Sequence, residues 1–262
     1  MIAPSTIRPL FVAGIALIAT LLGACGDNGG SLLSSTSPPK SDFKPVPVSP
    51  IIGDVVLGNK DAKVELVEYA ALTCHVCRDF AKQIFPRLKA TYIDTGKIKY
   101  IYRDYPLEAG PDGKAGDGFG VVLASVARCK GADKFYEIVD DVFGNQGDLL
   151  DAAREGKALP LVADIATRHG MTLDEMRTCI DFQPELRASI KKSRNDGGDK
   201  YKITGTPTII VDEVKIDDHS WENLSKIIEA KLNGTPLPAA PADGAAVPAT
   251  APAPTPATPP AQ

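Results

Sequence analysis

Residues 64–80, VELVEYAALTCHVCRDF, hold two cysteines three apart where an apolar run gives way to a charged one. Val64–Ala70 is a short run of β-branched and aromatic residues, which predicts a strand. From Cys74 onward apolar residues recur at Val76, Phe80, Ile84, Phe85 and Leu88, close to helical spacing. Cys74 therefore stands where a strand hands over to a helix. A helix start presents unpaired N–H groups and positive potential, which stabilise a thiolate and lower its pKa. The spacing puts both sulfurs on neighbouring positions of the first turn, near enough to close a small ring. Cys77, one turn further in, is better shielded and suits the part of a resolving thiol.

Three chemistries use such a pair. Zinc needs four ligands, and Cys129, Cys179, His169 and His219 lack the paired spacing that would supply the other two. No metal or other cofactor is expected. A purely structural Cys74–Cys77 disulfide would close too short a loop to constrain much chain. Thiol-disulfide exchange remains. His75 either adds a hydrogen bond or a positive charge to the Cys74 thiolate, or simply faces solvent. Val76 fills the other position between the cysteines.

Outward from this stretch, Ile98, Tyr100 and Tyr102 alternate in IKYIYRDY and predict a second strand. From Ala109 to about Lys202 the pattern is helical. Its segments are GFGVVLASVARCKG, DKFYEIVDDVFGN, LPLVADIATRHG, Thr172–Ile180 with a capping box from Thr172 to Glu175, and QPELRASIKKSRNDGG. Strand pattern returns at TPTIIVD (206–212) and VKI (214–216). A last amphipathic helix, Ser220–Leu232, carries Trp221, Leu224, Ile227, Ile228 and Leu232 on one stripe. The order is β-α-β, a block of helices, then β-β-α. It predicts an α/β domain whose mixed sheet is covered by helices, with an all-helical insertion at about 109–202.

The ends of the chain carry an address. Leu10–Leu22 is an uncharged apolar run of about 13 residues, too short to span a bilayer and suited to a signal-peptide core. Leu22-Gly23-Ala24-Cys25 resembles a bacterial lipoprotein signal, in which the cysteine is lipidated and becomes the first residue. Residues 1–24 are thus expected to be a signal peptide. Cys25 would be the lipid anchor to the periplasmic side of a bacterial membrane, and export allows disulfides to persist. Residues 25–54, rich in Ser, Pro, Gly and Asp, are expected to be a flexible tether reaching roughly 30 Å. Residues 55–233 form the domain, and the Pro, Ala and Thr-rich 234–262 an extended tail unable to bury a core. The formal net charge of −4 and the lack of a basic, aromatic-laced patch exclude nucleic acid as a partner.

VELVEYAALTCHVC, YRDYPL, ARC, TCI and ITGTPTIIVD, in that order, resemble the DsbA-like branch of the thioredoxin superfamily, exported thiol-disulfide oxidoreductases. The match runs from Leu57 to Leu232. The resemblance implies a thioredoxin fold with a helical insertion, Cys74 as attacking thiol and Cys77 as its resolving partner. It implies that Thr206-Pro207 is a cis-proline loop lying against the disulfide and pairing with the substrate backbone. Glu68, six residues before Cys74, falls where the family keeps a buried acid. Such an acid could shuttle the proton of Cys77, its own pKa raised by burial. The residues alone equally allow a solvent-facing glutamate, since Glu65 shares the strand. Cysteine-containing exported clients and a membrane redox partner are implied as well.

Cys129 and Cys179 each lie in a candidate helix of the insertion, and an exported chain rarely leaves two free thiols. A structural disulfide between them is expected, worth roughly 4 kcal/mol for a loop of about 50 residues on the chain-entropy model. The chain departs from the strongly oxidising members, which place proline and then histidine between the cysteines. Such changes move the potential between about −270 mV, as in thioredoxin, and about −120 mV, as in DsbA. Threonine before the proline also occurs in isomerases and reductases. An oxidase, a reductase or isomerase kept reduced by a membrane partner, and a non-catalytic client- or metal-binding lipoprotein are the three functions in play. The intact CxxC at a helix start argues against the last. The N-terminal segment has no periodic apolar face through which isomerases dimerise, and this favours a monomeric oxidase.

Overall fold

A computed structural model describes residues 43–236. The expected signal peptide, the lipidation site Cys25 and nearly all of the C-terminal tail lie outside the described residues. Among them the chain runs β1 (Val56–Gly58), β2 (Val64–Ala70), α1 (His75–Gln83), α2 (Phe85–Leu88) and β3 (Ile98–Asp104). The insertion follows as α3 (Phe119–Cys129), α4 (Ala132–Gly144), α5 (Gln146–Arg154), α6 (Leu159–Arg168), α7 (Leu173–Asp181) and α8 (Pro184–Tyr201). The chain then closes with β4 (Thr208–Val211), β5 (Val214–Ile216) and α9 (Trp221–Asn233). This is the expected thioredoxin-like α/β fold with a helical insertion.

The five strands are ordered β1-β3-β2-β4-β5. β2 and β3 are parallel, with Ala70 opposite Asp104, so both point the same end of the sheet toward the start of α1. β4 is antiparallel to β2, with Thr208 opposite Tyr69. Its first residues therefore begin where β2 stops, and that register brings residues 206 and 207 beside Cys74 across 132 positions of sequence. Period-two alternation sends Leu66 and Ala70 to the face that packs with Tyr100, Tyr102 and Ile209 in the main core. Val67 and Tyr69 face the other way, into a smaller cluster with Ile101, Tyr105 and Ile203.

The helix after the cysteines does not run straight. Pro86, lacking an N–H, sits in the first turn of α2 after the break at Ile84, and a π-helical turn, Lys89–Ile93, completes the crossover. The capping box at α7 forms as expected: the Thr172 hydroxyl accepts from the Glu175 amide, and the Glu175 carboxylate accepts from the Thr172 amide. The insertion is helical from Phe119, later than the expected Ala109, and contains α5, which the sequence pattern had not separated. The strand expected from Thr206 starts at Thr208.

The last part of the expected tether, residues 46–54, is packed on the domain. Val46 N donates to Thr178 Oγ1 at 3.1 Å and Ile51 N to the Arg128 carbonyl at 2.9 Å. Val48 and Ile51 pack on the main core, and Asp54 is ion-paired with Arg103 at 2.6 Å. Scattered apolar residues between prolines are enough to lay an extended strand of chain along the insertion, so the segment from Val46 belongs to the folded body. The expected Cys129–Cys179 disulfide is formed, joining α3 to α7 across 50 residues.

Candidate active site

Cys74 is the N-cap of α1, with extended backbone angles that leave its side chain at the helix end. Its amide donates to the Ala71 carbonyl at 3.0 Å, and its carbonyl accepts the Arg78 amide at 3.1 Å, closing the first helical turn. Cys74 is 7% exposed and Cys77 fully buried, and both are free thiols. The Thr206–Pro207 peptide bond is cis. In its thiol form Cys74 Sγ donates to the Thr206 carbonyl at 3.3 Å.

The two thiols are driven apart electrostatically. Hydrogen bonding from the Cys77 thiol, with smaller help from Thr206 and the amides of Cys77 and Val76, outweighs burial and pushes Cys74 down to about 5. Cys77 moves the other way. Burial, its hydrogen bond to Cys74 and the nearby charge of Glu68 raise it far above the ordinary thiol range. Glu68 shares the core face of β2 with Leu66 and Ala70 and is 2% exposed. Burial pushes its carboxyl up to about 8, against the lowering effect of the Tyr100 hydroxyl, which donates to Oε2. At neutral pH the site therefore holds a thiolate at Cys74, a thiol at Cys77 and a largely protonated acid beneath them.

The side chains of His75 and Val76 lie outside this arrangement on the exposed first turn, Val76 being 38% exposed. Among the described residues the His75 side chain makes no hydrogen bond or ion pair, so the bond it could have offered the thiolate is not made. Two clefts flank the pair. One of ≈ 280 Å³ is lined by Val76, Phe80 and Ile84, the other of ≈ 300 Å³ by the loop from Thr204 to Thr208, and both reach Asp217 and His219. A larger cleft, ≈ 770 Å³, is lined by neither cysteine and lies between α8 and the opposite face of the sheet at Tyr69 and Arg103. Its Arg103 is held by Asp54, so size does not mark the site.

A family model described as thioredoxin matches residues 51–230. A Rickettsia prowazekii protein named as a protein-disulfide oxidoreductase is 31% identical over 196 residues, 74% of this chain and 68% of the relative. The chain belongs to the DsbA-like thiol-disulfide oxidoreductases of the thioredoxin superfamily. A second relative of that name, from Rickettsia bellii, is 31% identical over 179 residues, 68% of this chain and 64% of its own. The chain thus spans about two thirds of the length of these relatives. The crystal structure of Wolbachia pipientis alpha-DsbA1 superposes with a TM-score of 0.61 at 25% identity, over 71% of this chain and 94% of that one.

Within this DsbA-like fold, Cys74, Cys77, Glu68, Thr206 and Pro207 come together as the family pattern implied. Three further residues had not been singled out for the site. Tyr100 and Tyr102 were legible only as strand residues, although β-alternation with Glu68 opposite Tyr102 puts both on its face. The Tyr102 hydroxyl donates to the Ala70 carbonyl at 3.3 Å. Gln146 sits in NQGD, which carries no signal beyond that of a polar turn.

Proposed function

We propose that this protein is an exported dithiol oxidase that passes a Cys74–Cys77 disulfide to cysteine pairs of client polypeptides. The observation that carries the reading is the opposed placement of the two sulfurs, Cys74 held at about 5 and Cys77 raised far above it. With the pair oxidised, a client thiolate attacks Cys74 Sγ and forms a mixed disulfide. The Cys74–Cys77 bond breaks and Cys77 leaves with the electron pair. As its pKa is high, Cys77 takes up a proton, and Glu68, protonated at neutral pH, is the nearby acid to supply it. A second client thiolate then attacks the client sulfur of the mixed disulfide. The client disulfide forms, and Cys74 departs as a thiolate. A low-pKa thiol leaves fast, and stabilising the reduced form makes the pair oxidising. As a thiolate or in a disulfide, Cys74 Sγ has no hydrogen to give the Thr206 carbonyl, which is left to accept an amide of the client chain.

The reduced pair must be reoxidised, and a membrane redox partner is the proposed oxidant. Export, anchoring through Cys25, a monomeric state and cysteine-containing exported clients complete the reading. A reductase or isomerase is the second reading. It is favoured by Thr206 ahead of the proline and by the absence of a His75 bond to Cys74 among the described residues. The roles of the two sulfurs are tested by trapping. Cys77→Ser, mixed with a disulfide-bearing peptide, is expected to accumulate a reducible adduct through Cys74, and Cys74→Ser none. Equal adducts from both variants would overturn the assignment.

A further inference from the structure

The turn that presents Cys74 is held from outside the thioredoxin core. Gln146, the first residue of α5, is 1% exposed. Its Nε2 donates to the Leu72 carbonyl at 2.8 Å and to the Cys74 carbonyl at 2.9 Å. A carboxamide nitrogen has two hydrogens, and both are used. These acceptors flank Thr73 in the turn between β2 and α1. The Cys74 carbonyl also closes the first turn of α1 through the Arg78 amide. With both of its lone pairs engaged, the peptide plane leaving Cys74 is fixed, and so is the direction of the Val76 and Cys77 amides that face the sulfur.

Gln146 is itself fixed. Asn145 Nδ2 donates to the Asp141 carbonyl and to Asp141 Oδ1, each at 2.8 Å, and the Leu149 amide donates to the Asn145 carbonyl at 3.0 Å. The junction of α4 and α5 is thus clasped on both sides of the residue that reaches the active-site turn. Fully buried glutamines are uncommon, and a side chain whose donors are both spent on one turn is matched to that turn.

We infer that Gln146 is a positioning residue for thiol-disulfide exchange: through its two hydrogen bonds the helical insertion sets the geometry in which the helix start stabilises the Cys74 thiolate. This rests on the redox reading of the Cys74–Cys77 pair. It gives the insertion a part in tuning the chemistry, beyond covering the sheet. Without the clamp the two carbonyls lose their donors, the turn relaxes, and the amides of Val76 and Cys77 no longer point steadily at the sulfur. The thiolate is then less favoured and the pair less oxidising.

Two variants test this in the full chain. Gln146→Met keeps the length and removes all polarity. Gln146→Glu keeps the size, but its carboxyl, buried against two carbonyls, has at most one hydrogen to donate where the carboxamide has two. For each, the pH dependence of thiolate absorbance at 240 nm reads the Cys74 pKa, equilibration with glutathione reads the redox balance, and thermal unfolding reads the fold. Both variants are expected to raise the Cys74 pKa by about one unit. The glutathione equilibrium should then move about tenfold toward the oxidised pair, since one unit is a factor of ten in the relative weight of the two protonation states. A lower melting temperature with the Cys74 pKa and the glutathione equilibrium unchanged would overturn the inference and leave Gln146 a purely structural residue. The thiolate titration needs no turnover, so the inference can fail or stand apart from the proposed function. That function fails if the unaltered protein does not exchange with glutathione at all.

Discussion

Glu68 shows what the sequence could and could not decide about a single residue. Glu65 and Glu68 are three apart in one strand, so alternation sends them to opposite faces, but both faces of VELVEYA mix acids with apolar groups. Only the packing chooses. Glu65 pairs with Lys99 at 3.2 Å near the rim, whereas Glu68 lies beneath the cysteines against Tyr100. Its raised pKa has a consequence for stability. Below about 4.5 the carboxyl is protonated in both folded and unfolded chains and the fold is not penalised. As pH climbs from about 4.5 to about 8, the unfolded chain ionises while the folded one resists, so stability falls; above about 8 the loss is complete. Glu68→Gln removes the titration. Urea unfolding of the oxidised protein, which has no Cys74 thiolate to titrate, should show the variant matching the parent near pH 4. By pH 8.5 it should be more stable by on the order of a few kcal/mol. Parallel profiles would mean that Glu68 is not buried as an acid. His75 is the converse case: its place next to Cys74 is plain in the sequence, but its outward direction is not, because an N-terminal helical turn can expose or bury that position.

At the scale of elements, long periodic segments were legible and short ones were not. β1 is three residues with half-exposed side chains, and α5 buries little beyond Gln146 and Leu149, so neither carries a period. The sequence ends α8 near Gly197-Gly198, yet the helix continues to Tyr201 and ends at Lys202 in the left-handed region. Packing overrides propensity there: a Cβ on Gly197 would stand 2.6 Å from the Tyr69 ring, so glycine is what lets the helix lie on the sheet. The insertion is tied to the sheet by contacts no local pattern reveals. Arg128 of α3 is ion-paired with Asp104 at the end of β3 at 2.6 Å, with 5% and 3% of their side chains exposed, and it also donates to the Gly53 carbonyl. Arg128→Met leaves a carboxylate buried without its partner and should cost about 3–5 kcal/mol in urea unfolding. Adding Asp104→Asn should recover much of that. A loss under about 1 kcal/mol for the single variant would show that water reaches the pair.

For the whole molecule, the β-α-β, helical block and β-β-α order was readable in the chain, whereas the strand order was not. Alternation gives each strand its faces but not its neighbours, and β2 meets β4 only because pairing across the sheet spans the entire insertion. That pairing sets Thr206-Pro207 against Cys74 and turns a helix-start CxxC into a site with a thiolate, a buried thiol, a protonated acid and a cis-proline loop. The fold therefore stabilises Cys74 as a thiolate by means that do not need the histidine. The most direct measurement is the reduction potential of the Cys74–Cys77 pair, by equilibration with glutathione at pH 7. An oxidase of this construction should lie closer to about −120 mV than to about −270 mV, whereas a value at or below about −270 mV would contradict it and make the protein a reductase.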